Sequence, residues 1–295
     1  MFWEQLAGNL IQGLVLGAVY GVATMGLSLI FGVLKIVNVG HGAFMMVGAY
    51  VTLIMFSALG ISPLAAIPLA LIIGLALGLI SFYVVIRRII KAPELVSLLA
   101  TFALGILLEE VARLVFGAEW QGYTWNTGSL NLGVTMMPLT KIYALVSSVL
   151  VALLLYMWFN KTKAGTAMRA VVEDSEGARV CGMNVNWIYA LSFAIGIGLT
   201  VMSGVLLTLF ISVGINPYMG GAYTLKAFVI AVLGGLASPY GAFFGGLIFG
   251  LLENGSYVLF ALIPGVEPFA LTKFFTFAIL LLILLVRPTG LLRKK

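Results

Sequence analysis

Residues 5–34 read QLAGNLIQGLVLGAVYGVATMGLSLIFGVL, a stretch of thirty residues without a single Lys, Arg, Asp or Glu. A helix needs about twenty apolar residues to cross the hydrocarbon core of a bilayer. Residues 36–86, 180–225 and 227–252 are uncharged in the same way. Because most of these runs are long enough for more than one crossing, the sequence predicts an all-α, polytopic transmembrane helical bundle in contact with lipid.

The composition of the whole chain excludes several other classes of protein. Of its 295 residues, 62% are hydrophobic and 9% are charged, against roughly 45–50% and 25% in soluble domains. These values exclude a soluble enzyme, and the high hydrophobicity excludes intrinsic disorder. The net charge of +6 comes from residues scattered along the chain, so we expect no nucleic-acid partner.

Turn signals divide the apolar runs into nine candidate spans. The breaks fall at clusters of Gly, Pro, Asn and Ser. The predicted spans are residues 8–34, 42–59, 63–86, 95–116, 141–159, 187–211, 223–237, 241–262 and 269–286. The seventh is short enough to be re-entrant, so the prediction is eight to nine spans.

The basic residues predict how these spans are oriented, because Lys and Arg favour the cytoplasmic side. Loops on one side hold twelve of the sixteen basic residues. The other, outer side holds four, which are Arg113, Lys141, Lys226 and Lys273. The richer side includes the end of the chain, with Arg287, Arg293, Lys294 and Lys295. The C-terminus is therefore predicted to be cytoplasmic. Because residues 1–5 lack the basic group of a secretory signal, we expect a retained first span and a multi-pass protein of the plasma (inner) membrane.

Glycines four residues apart predict that the helices pack closely, since small residues let helix backbones touch within lipid. The spacing occurs at Gly13, Gly17 and Gly21, at Gly74 and Gly78, at Gly241 and Gly245, and at Gly246 and Gly250.

No catalytic constellation is visible in the sequence. One cysteine, Cys181, allows neither an internal disulfide nor a Cys-based metal site, and there is one histidine, His41. The GxxxxGK[ST] phosphate loop, HExxH and GxSxG are all missing. The chain is therefore predicted to be no enzyme, with no catalytic residue, no metal and no cofactor of its own.

Charged residues within the predicted spans are candidates for function, since each costs about 2.5–3.5 kcal/mol to insert. Arg113 follows Glu109 by four residues and Glu110 by three, which favours a helical ion pair. Glu253 has no partner nearby in the sequence. A pair across helices and a position at the rim of a cavity are equal alternatives for this residue.

A polar break separates the first two spans at residues 36–42, where Asn38 and His41 stand among apolar residues and glycines. Such a break can simply cap two helices, which the residues alone favour. It can also present free backbone groups and a helix N-terminus to an anionic group such as a carboxylate.

A polar island at residues 160–186 separates two long spans. Its seven charged residues are Lys161, Lys163, Arg169, Glu173, Asp174, Glu176 and Arg179. Apolar residues such as Met168 and Val171 stand between them, a pattern typical of a short amphipathic helix. Such a helix can lie at the lipid interface, or it can be a docking element for a cytoplasmic protein.

Motifs along nearly the whole chain resemble one known family. Glu176-Gly177-Ala178 followed by Gly182 resembles the EAA---G signature of the cytoplasmic loop in ABC importer permeases, with Gly177 in place of the first alanine. Residues 37–42 with 48–50, residues 216–218 with 232–235, and residues 287–291 are similar to the Liv-type branch, the permeases for branched-chain amino acids. Thr166, Ala237, Pro239 and Tyr240 depart from that pattern.

The resemblance implies a single permease domain, residues 1–295, that moves branched-chain (hydrophobic) amino acids into the cell by alternating access. It implies as partners a second related permease subunit, two cytoplasmic ATPase subunits that bind the ATP, and an extracytoplasmic substrate-binding protein. The alternatives are a urea or short-chain amide ABC permease and an ion-gradient-driven secondary transporter.

Two sets of candidate site residues follow. The ATPase-coupling loop, at about residues 160–186, contributes Gly165, Arg169, Glu173, Asp174, Glu176, Ala178 and Gly182. The translocation path or gate is predicted to include Asn38, His41, Gly42, Gly234, Gly235, Gly241 and Glu253.

Overall fold

The structure is a computed structural model that describes residues 2–131, 133, 135–263, 265 and 267–286. The basic tail with Arg287, Arg293, Lys294 and Lys295, the family motif at residues 287–291 and the predicted cytoplasmic C-terminus lie outside the described residues. Most of the described chain is helical, which confirms a helical bundle.

The helices follow the chain in this order: α1 (Phe2–Leu34), α2 (His41–Ser57), α3 (Ala66–Ser81), α4 (Arg87–Ile89), α5 (Glu94–Phe116), α6 (Leu139–Lys161), α7 (Lys163–Glu173), α8 (Ser175–Val180), α9 (Val185–Phe210), α10 (Gly220–Gly234), α11 (Pro239–Phe260) and α12 (Pro268–Val286). A 3-10 turn (Pro63–Ala65) leads into α3, and a π-helical turn (Phe82–Ile86) continues α3 into α4. A second 3-10 turn (Pro217–Met219) precedes α10.

Within the described ranges, six helical segments are long and apolar enough to cross a membrane: Trp3–Leu34, Pro63–Ile89, Glu94–Phe116, Leu139–Lys161, Val185–Phe210 and Pro239–Phe260. The protein is therefore an integral, multi-pass membrane protein. Helices α2 and α10 have 17 and 15 residues. At 1.5 Å per residue they reach about 25 and 22 Å, short of the roughly 30 Å hydrocarbon core. The prediction of eight to nine spans stays a prediction.

Helices α1 and α9 form the centre of the bundle. In the most apolar window of each, 89% of the residues are buried, against 22% in α5 and 28% in α6. Helix α11 packs along α1, while α2 and α3 pack along α9. The central helices are thus shielded by their neighbours, and α5 and α6 present apolar faces to the surroundings.

Glycines bring the helices into backbone contact, as the sequence predicted. A Cβ atom on Gly17 of α1 would lie 2.5 Å from the carbonyl oxygen of Gly246 on α11. A Cβ atom on Gly74 of α3 would lie 2.7 Å from the Cα atom of Gly198 on α9. Because neither place has room for a side chain, these contacts fix which helices lie side by side.

In the part of the chain that the structure describes, four short strands, which the sequence did not predict, lie between the spans. β1 (Gln121–Gly122) pairs with β4 (Val213–Ile215), and β2 (Ser129–Asn131) pairs with β3 (Met136–Pro138), both antiparallel. Next to β1, the buried Tyr123 donates its hydroxyl to Thr208 Oγ1 at 3.1 Å. Burial raises the pKa of Tyr123, and the hydrogen bond to Thr208 offsets a smaller part of that rise, so that the pKa is about 12. This contact and the β1–β4 pair tie the α5–α6 connection to the end of α9.

Candidate functional site

The break between α1 and α2 lies inside the bundle and is not a turn at its surface. Asn38 and His41 are 0% and 1% exposed. His41 Nε2 lies 2.9 Å from the carbonyl oxygen of Ala23 on α1 and 3.2 Å from Thr200 Oγ1 on α9. The single histidine therefore holds the start of α2 between the two central helices.

Backbone N–H groups at this break already have partners. Gly42 N–H donates to Thr224 Oγ1 of α10 at 2.8 Å, and Val39 N–H donates to Thr101 Oγ1 of α5 at 3.1 Å. In this conformation these two N–H groups are therefore not free to bind an anion. A Cβ atom on Gly42 would collide with the carbonyl oxygen of Gly220. The positive N-terminal ends of α2 and α10 thus meet in the interior.

The side chain of Asn38 makes no hydrogen bond within the described part of the chain. Both Oδ1 and Nδ2 are buried and lack a hydrogen-bond partner there. A buried polar group without a partner costs on the order of 1–3 kcal/mol, so its place among apolar residues calls for an explanation beyond packing. That Asn38 belongs to a translocation path stays a prediction.

Glu253 forms an ion pair across helices, which was one of its two predicted alternatives. Lys226 Nζ of α10 lies 2.6 Å from Glu253 Oε1 of α11 and donates to the Tyr20 hydroxyl of α1 at 2.9 Å. The Lys226 and Glu253 side chains are only 19% and 15% exposed. The pair links three helices, and it is also the kind of buried ionisable pair that ion-driven transport would need.

The predicted path residues do not form one site. Gly42 contacts the start of α10, and Glu253 contacts α10 through Lys226. Gly234 and Gly241, whose backbones touch each other, lie at the other end of α10. Gly234 follows Gly220 by fourteen residues, or about 21 Å at the helical rise. The short helix α10 is what connects these predicted residues.

The polar island folds into two helices, where a single amphipathic helix was predicted. Thr162 Oγ1 accepts the Gly165 N–H at 3.1 Å and caps α7. Asp174 Oδ1 accepts the N–H groups of Glu176 and Gly177, both at 3.0 Å, and caps α8. The single-helix prediction failed because Asp174 is an N-cap residue, whose side chain starts a new helix. We call α7 and α8 together the α7–α8 hairpin.

The end of α8 depends on Gly182, which has a φ of +81°. The Gly182 N–H donates to the Arg179 carbonyl at 2.9 Å, and the Met183 N–H donates to the Ala178 carbonyl at 3.0 Å. This pair of bonds is a Schellman motif, whose left-handed position favours glycine. Ala178 is buried, so both it and Gly182 serve the hairpin's own shape.

Arg169 and Gly165, both predicted to dock a partner, contact α6. The Arg169 guanidinium donates to the Phe159 carbonyl and, at 3.1 Å, to Thr166 Oγ1. A Cβ atom on Gly165 would collide with the Phe159 backbone. These two residues thus fix α7 against the end of α6.

The acidic residues of the hairpin face outward. Glu173, Asp174 and Glu176 are exposed, whereas Met168 and Val171 of α7 are buried. Glu176 is 79% exposed and pairs with Arg179 at 3.1 Å. The hairpin therefore buries an apolar edge and exposes an acidic edge that consists of Glu173, Asp174 and Glu176.

Sequence reasoning missed the residues that complete the interior contacts. They are Tyr20, Thr101, Thr200, Thr224 and Lys226. A hydroxyl in an apolar helix is a weak signal, because such a hydroxyl can bond to its own helix. Lys226 gave a stronger signal as a lone cation within a predicted span, but it was assigned to the outer side of the membrane.

The predicted ion pair in α5 is present. Arg113 Nε lies 2.6 Å from Glu110 Oε2, and both side chains are 43% exposed. A pair this exposed is worth about 0–1 kcal/mol.

The architecture is that of a helical membrane protein with two short helices whose N-terminal ends meet in its interior. Residues 9–284 match the family described as "Branched-chain amino acid transport system / permease component", and the chain belongs to this family. The resemblance to Liv-type permeases is thereby confirmed, and with it an ABC-type amino-acid transport permease.

Three relatives illustrate the similarity. The high-affinity branched-chain amino acid transport system permease protein LivH of Escherichia coli (strain K12) is 31% identical over 97% of this chain and 95% of its own length. The corresponding protein BraD of Pseudomonas aeruginosa is 30% identical over the same shares. A probable branched-chain amino acid transport permease protein LivH of Methanocaldococcus jannaschii is 27% identical over 90% of this chain and 86% of its own length. No solved structure matches the chain.

Proposed function

We propose that this chain is the membrane-spanning permease subunit of an ATP-binding-cassette importer for branched-chain amino acids. Family membership supports transport and the substrate class. The α7–α8 hairpin is the observation that supports coupling to ATP hydrolysis. It exposes the acidic edge of Glu173, Asp174 and Glu176, while its apolar edge is buried. A capped, rigid element with exposed charges suits contact with a separate protein.

The partners in this proposal are two cytoplasmic ATPase subunits that bind ATP, a second related permease subunit and an extracytoplasmic substrate-binding protein. The distribution of basic residues favours the cytoplasmic side of the inner membrane for the hairpin. The ATPases would contact the acidic edge there, and the binding protein would deliver the amino acid at the opposite side.

The attachment of the hairpin supports a route for mechanical coupling. Arg169 and Gly165 hold α7 against α6, and Met168 and Val171 pack in the same buried cluster as residues of α1 and α9. A shift of the hairpin would therefore be passed to these helices. Alternating access requires that the ATPases bind the hairpin differently in the two conformations, because only differential affinity moves the equilibrium.

The substitution Glu176→Lys tests the docking role. Since Glu176 is 79% exposed and surface ion pairs contribute about 0–1 kcal/mol, the variant should fold normally. We expect ATP-driven leucine uptake in vesicles with all subunits to fall about tenfold, the effect of losing roughly 1.4 kcal/mol of docking free energy. ATP hydrolysis should continue, so that hydrolysis and uptake are uncoupled.

The control is the double variant Glu176→Lys/Arg179→Glu, which restores the ion pair within α8 with reversed polarity. If Glu176 contacts an ATPase subunit, leucine uptake stays low in the double variant, because position 176 still has the wrong charge. Recovery of uptake would show that only the internal pair matters, and normal uptake by Glu176→Lys alone would equally contradict the docking role.

The alternative functions have their own measurements in the same vesicles. Urea or acetamide that competes with labelled leucine would favour an amide permease. Uptake driven by an ion gradient without the ATPase subunits would favour a secondary transporter, to which the buried Lys226–Glu253 pair would then belong.

A further inference from the structure

A cavity of about 320 Å³ lies between α1, α7 and the turn that joins α10 to α11. Its volume is at the lower end of the roughly 300–1,000 Å³ that ligand pockets occupy. Ser28 and Val33 of α1 line one side, Arg169 and Glu173 of α7 line another, and Tyr240 lies in the first turn of α11. The cavity thus borders the α7–α8 hairpin and is separate from the contact between α2 and α10.

Ser28 is a buried polar residue on the wall of this cavity. It lines the cavity, is 0% exposed, and its Oγ atom has no hydrogen-bond partner in the described part of the chain. Serine hydroxyls in helices usually bond to the carbonyl four residues earlier, as Ser148 does with Ala144 in α6. The Ser28 hydroxyl is therefore a buried polar group at the cavity wall whose hydrogen bond is unmade in the described chain.

Two opposite charges lie one helical turn apart on the same cavity wall. Arg169 uses N–H groups toward Phe159 and Thr166, and a guanidinium has five in all. Glu173 follows Arg169 by four residues, which places both on one face of α7. Within the ranges that the structure describes, no cation lies within ion-pair distance of Glu173.

Apolar side chains make up much of the remaining wall. Leu29 and Val33 of α1, Val172 of α7 and Pro239 of α11 all line the cavity. A ligand that matches the cavity therefore has an anionic group, a cationic group and a small apolar body. A free amino acid with an apolar side chain has all three.

We propose that this cavity binds a branched-chain amino acid, with the carboxylate at Arg169, the ammonium at Glu173 and the side chain against Leu29 and Val33. The choice of ligand rests on the proposed function. Because the bound amino acid would contact α1 and α7 together, it would hold the hairpin against the bundle. Substrate that accumulates on the hairpin's side of the membrane would thus slow further uptake.

The test measures the binding of labelled L-leucine to the purified full-length chain in lipid nanodiscs, without any partner subunit. We expect saturable binding that 4-methylpentanoate, which lacks the ammonium, and 3-methylbutylamine, which lacks the carboxylate, displace at least about tenfold less well than leucine does. Equal displacement by either analogue, or no saturable binding at all, would overturn the proposal.

Variants then place the binding in this cavity. Ser28→Ala removes a hydroxyl that has no partner, so the fold should keep its melting temperature while leucine binding weakens about fivefold. Ser148→Ala is the matched control, a buried serine on α6 outside the cavity lining, and should bind leucine as the unaltered chain does. Glu173→Gln, an exposed position, should weaken binding about tenfold and serves as the second variant if Ser28→Ala misfolds.

Unchanged binding in Ser28→Ala and Glu173→Gln would overturn the assignment of the cavity. ATP-driven uptake, measured separately in vesicles with all subunits, tests the proposed function. Normal uptake without cavity binding would refute this inference alone, whereas cavity binding without any leucine uptake would refute the proposed function alone. With leucine preloaded on the hairpin's side, uptake should slow in the unaltered chain and less so in Ser28→Ala.

Discussion

Lys226 Nζ and Glu253 Oε1 lie 2.6 Å apart, although 27 residues separate them in the chain and they belong to different helices. The Tyr20 hydroxyl accepts a further hydrogen bond from Lys226, whose Nζ also lies 4.8 Å from the centre of the Tyr20 ring. Each charge offsets the cost of placing the other in an apolar bundle. The short helix α10 is thereby fixed to both α1 and α11.

Removing one member of this pair should destabilise the protein more than removing both. In Lys226→Met, Glu253 keeps its charge without a cation, so we expect the free energy of unfolding to fall by about 3 kcal/mol. The double variant Lys226→Met/Glu253→Gln should regain most of that loss, since no unpaired charge is left. Chemical unfolding in detergent micelles measures all four proteins of the double-mutant cycle. A coupling free energy near zero would show that the pair contributes nothing.

The backbone contact between α1 and α11 should not tolerate even one methyl group. Gly17→Ala places a Cβ atom 2.5 Å from the Gly246 carbonyl oxygen, so we expect a loss of about 1–3 kcal/mol in unfolding free energy. Gly221→Ala is the control, because no heavy atom lies within 4 Å of its Cβ position. That variant should be neutral or more stable by up to about 1 kcal/mol. Equal melting temperatures for the two variants would count against the close packing.

Asp174 should matter to the hairpin as a cap and not as a charge. Asp174→Ala removes the acceptor for the Glu176 and Gly177 N–H groups and should cost about 1 kcal/mol locally. Asp174→Asn keeps an oxygen in the same place and should preserve α8. Hydrogen exchange of the amides at residues 175–180 compares the two. Equally fast exchange in both variants would mean that the negative charge itself holds α8.

Tyr123 gives the α5–α6 connection a dependence on alkaline pH. Burial raises the pKa of Tyr123 from 10.0 to about 12, so the folded protein holds the proton more tightly than the unfolded chain. This contribution is complete below pH 10 and is lost between pH 10 and 12, up to about 2–3 kcal/mol. Tyr123→Phe lacks that loss. Between pH 10 and 12 the free energy of unfolding of the unaltered chain should therefore fall toward that of Tyr123→Phe. The same pH dependence of this free energy in both proteins would contradict the assignment.

Hydropathy predicted the outer helices well. Residues 95–116 were predicted and Glu94–Phe116 is observed; residues 241–262 were predicted and Pro239–Phe260 is observed. The same pattern did not show that α2 starts in the interior, because lipid and protein interior are equally apolar to a side chain. The strands β1–β4 were not predicted because a strand of two or three residues is too short to show an alternation of apolar and polar residues.

For the candidate sites, polarity against an apolar background was the useful signal. It found Asn38, His41 and Glu253, which the structure buries or pairs. It could not find Thr200 or Thr224, whose role depends on which helix faces them. In the polar island the residue types indicated a helix, but only the structure shows that Gly165 and Arg169 contact α6.

Gly13, Gly17 and Gly21 contact α11 on three successive turns of α1. These contacts limit how the two helices can move. Sliding α1 past α11 by even one residue would drive a side chain into backbone atoms, so these helices must move as one rigid body. The Lys226–Glu253 pair and the Tyr20 hydroxyl add α10 to that body, so rearrangement is left to the helices outside it. In any inward- and outward-open pair of conformations, distances among α1, α10 and α11 should therefore stay constant.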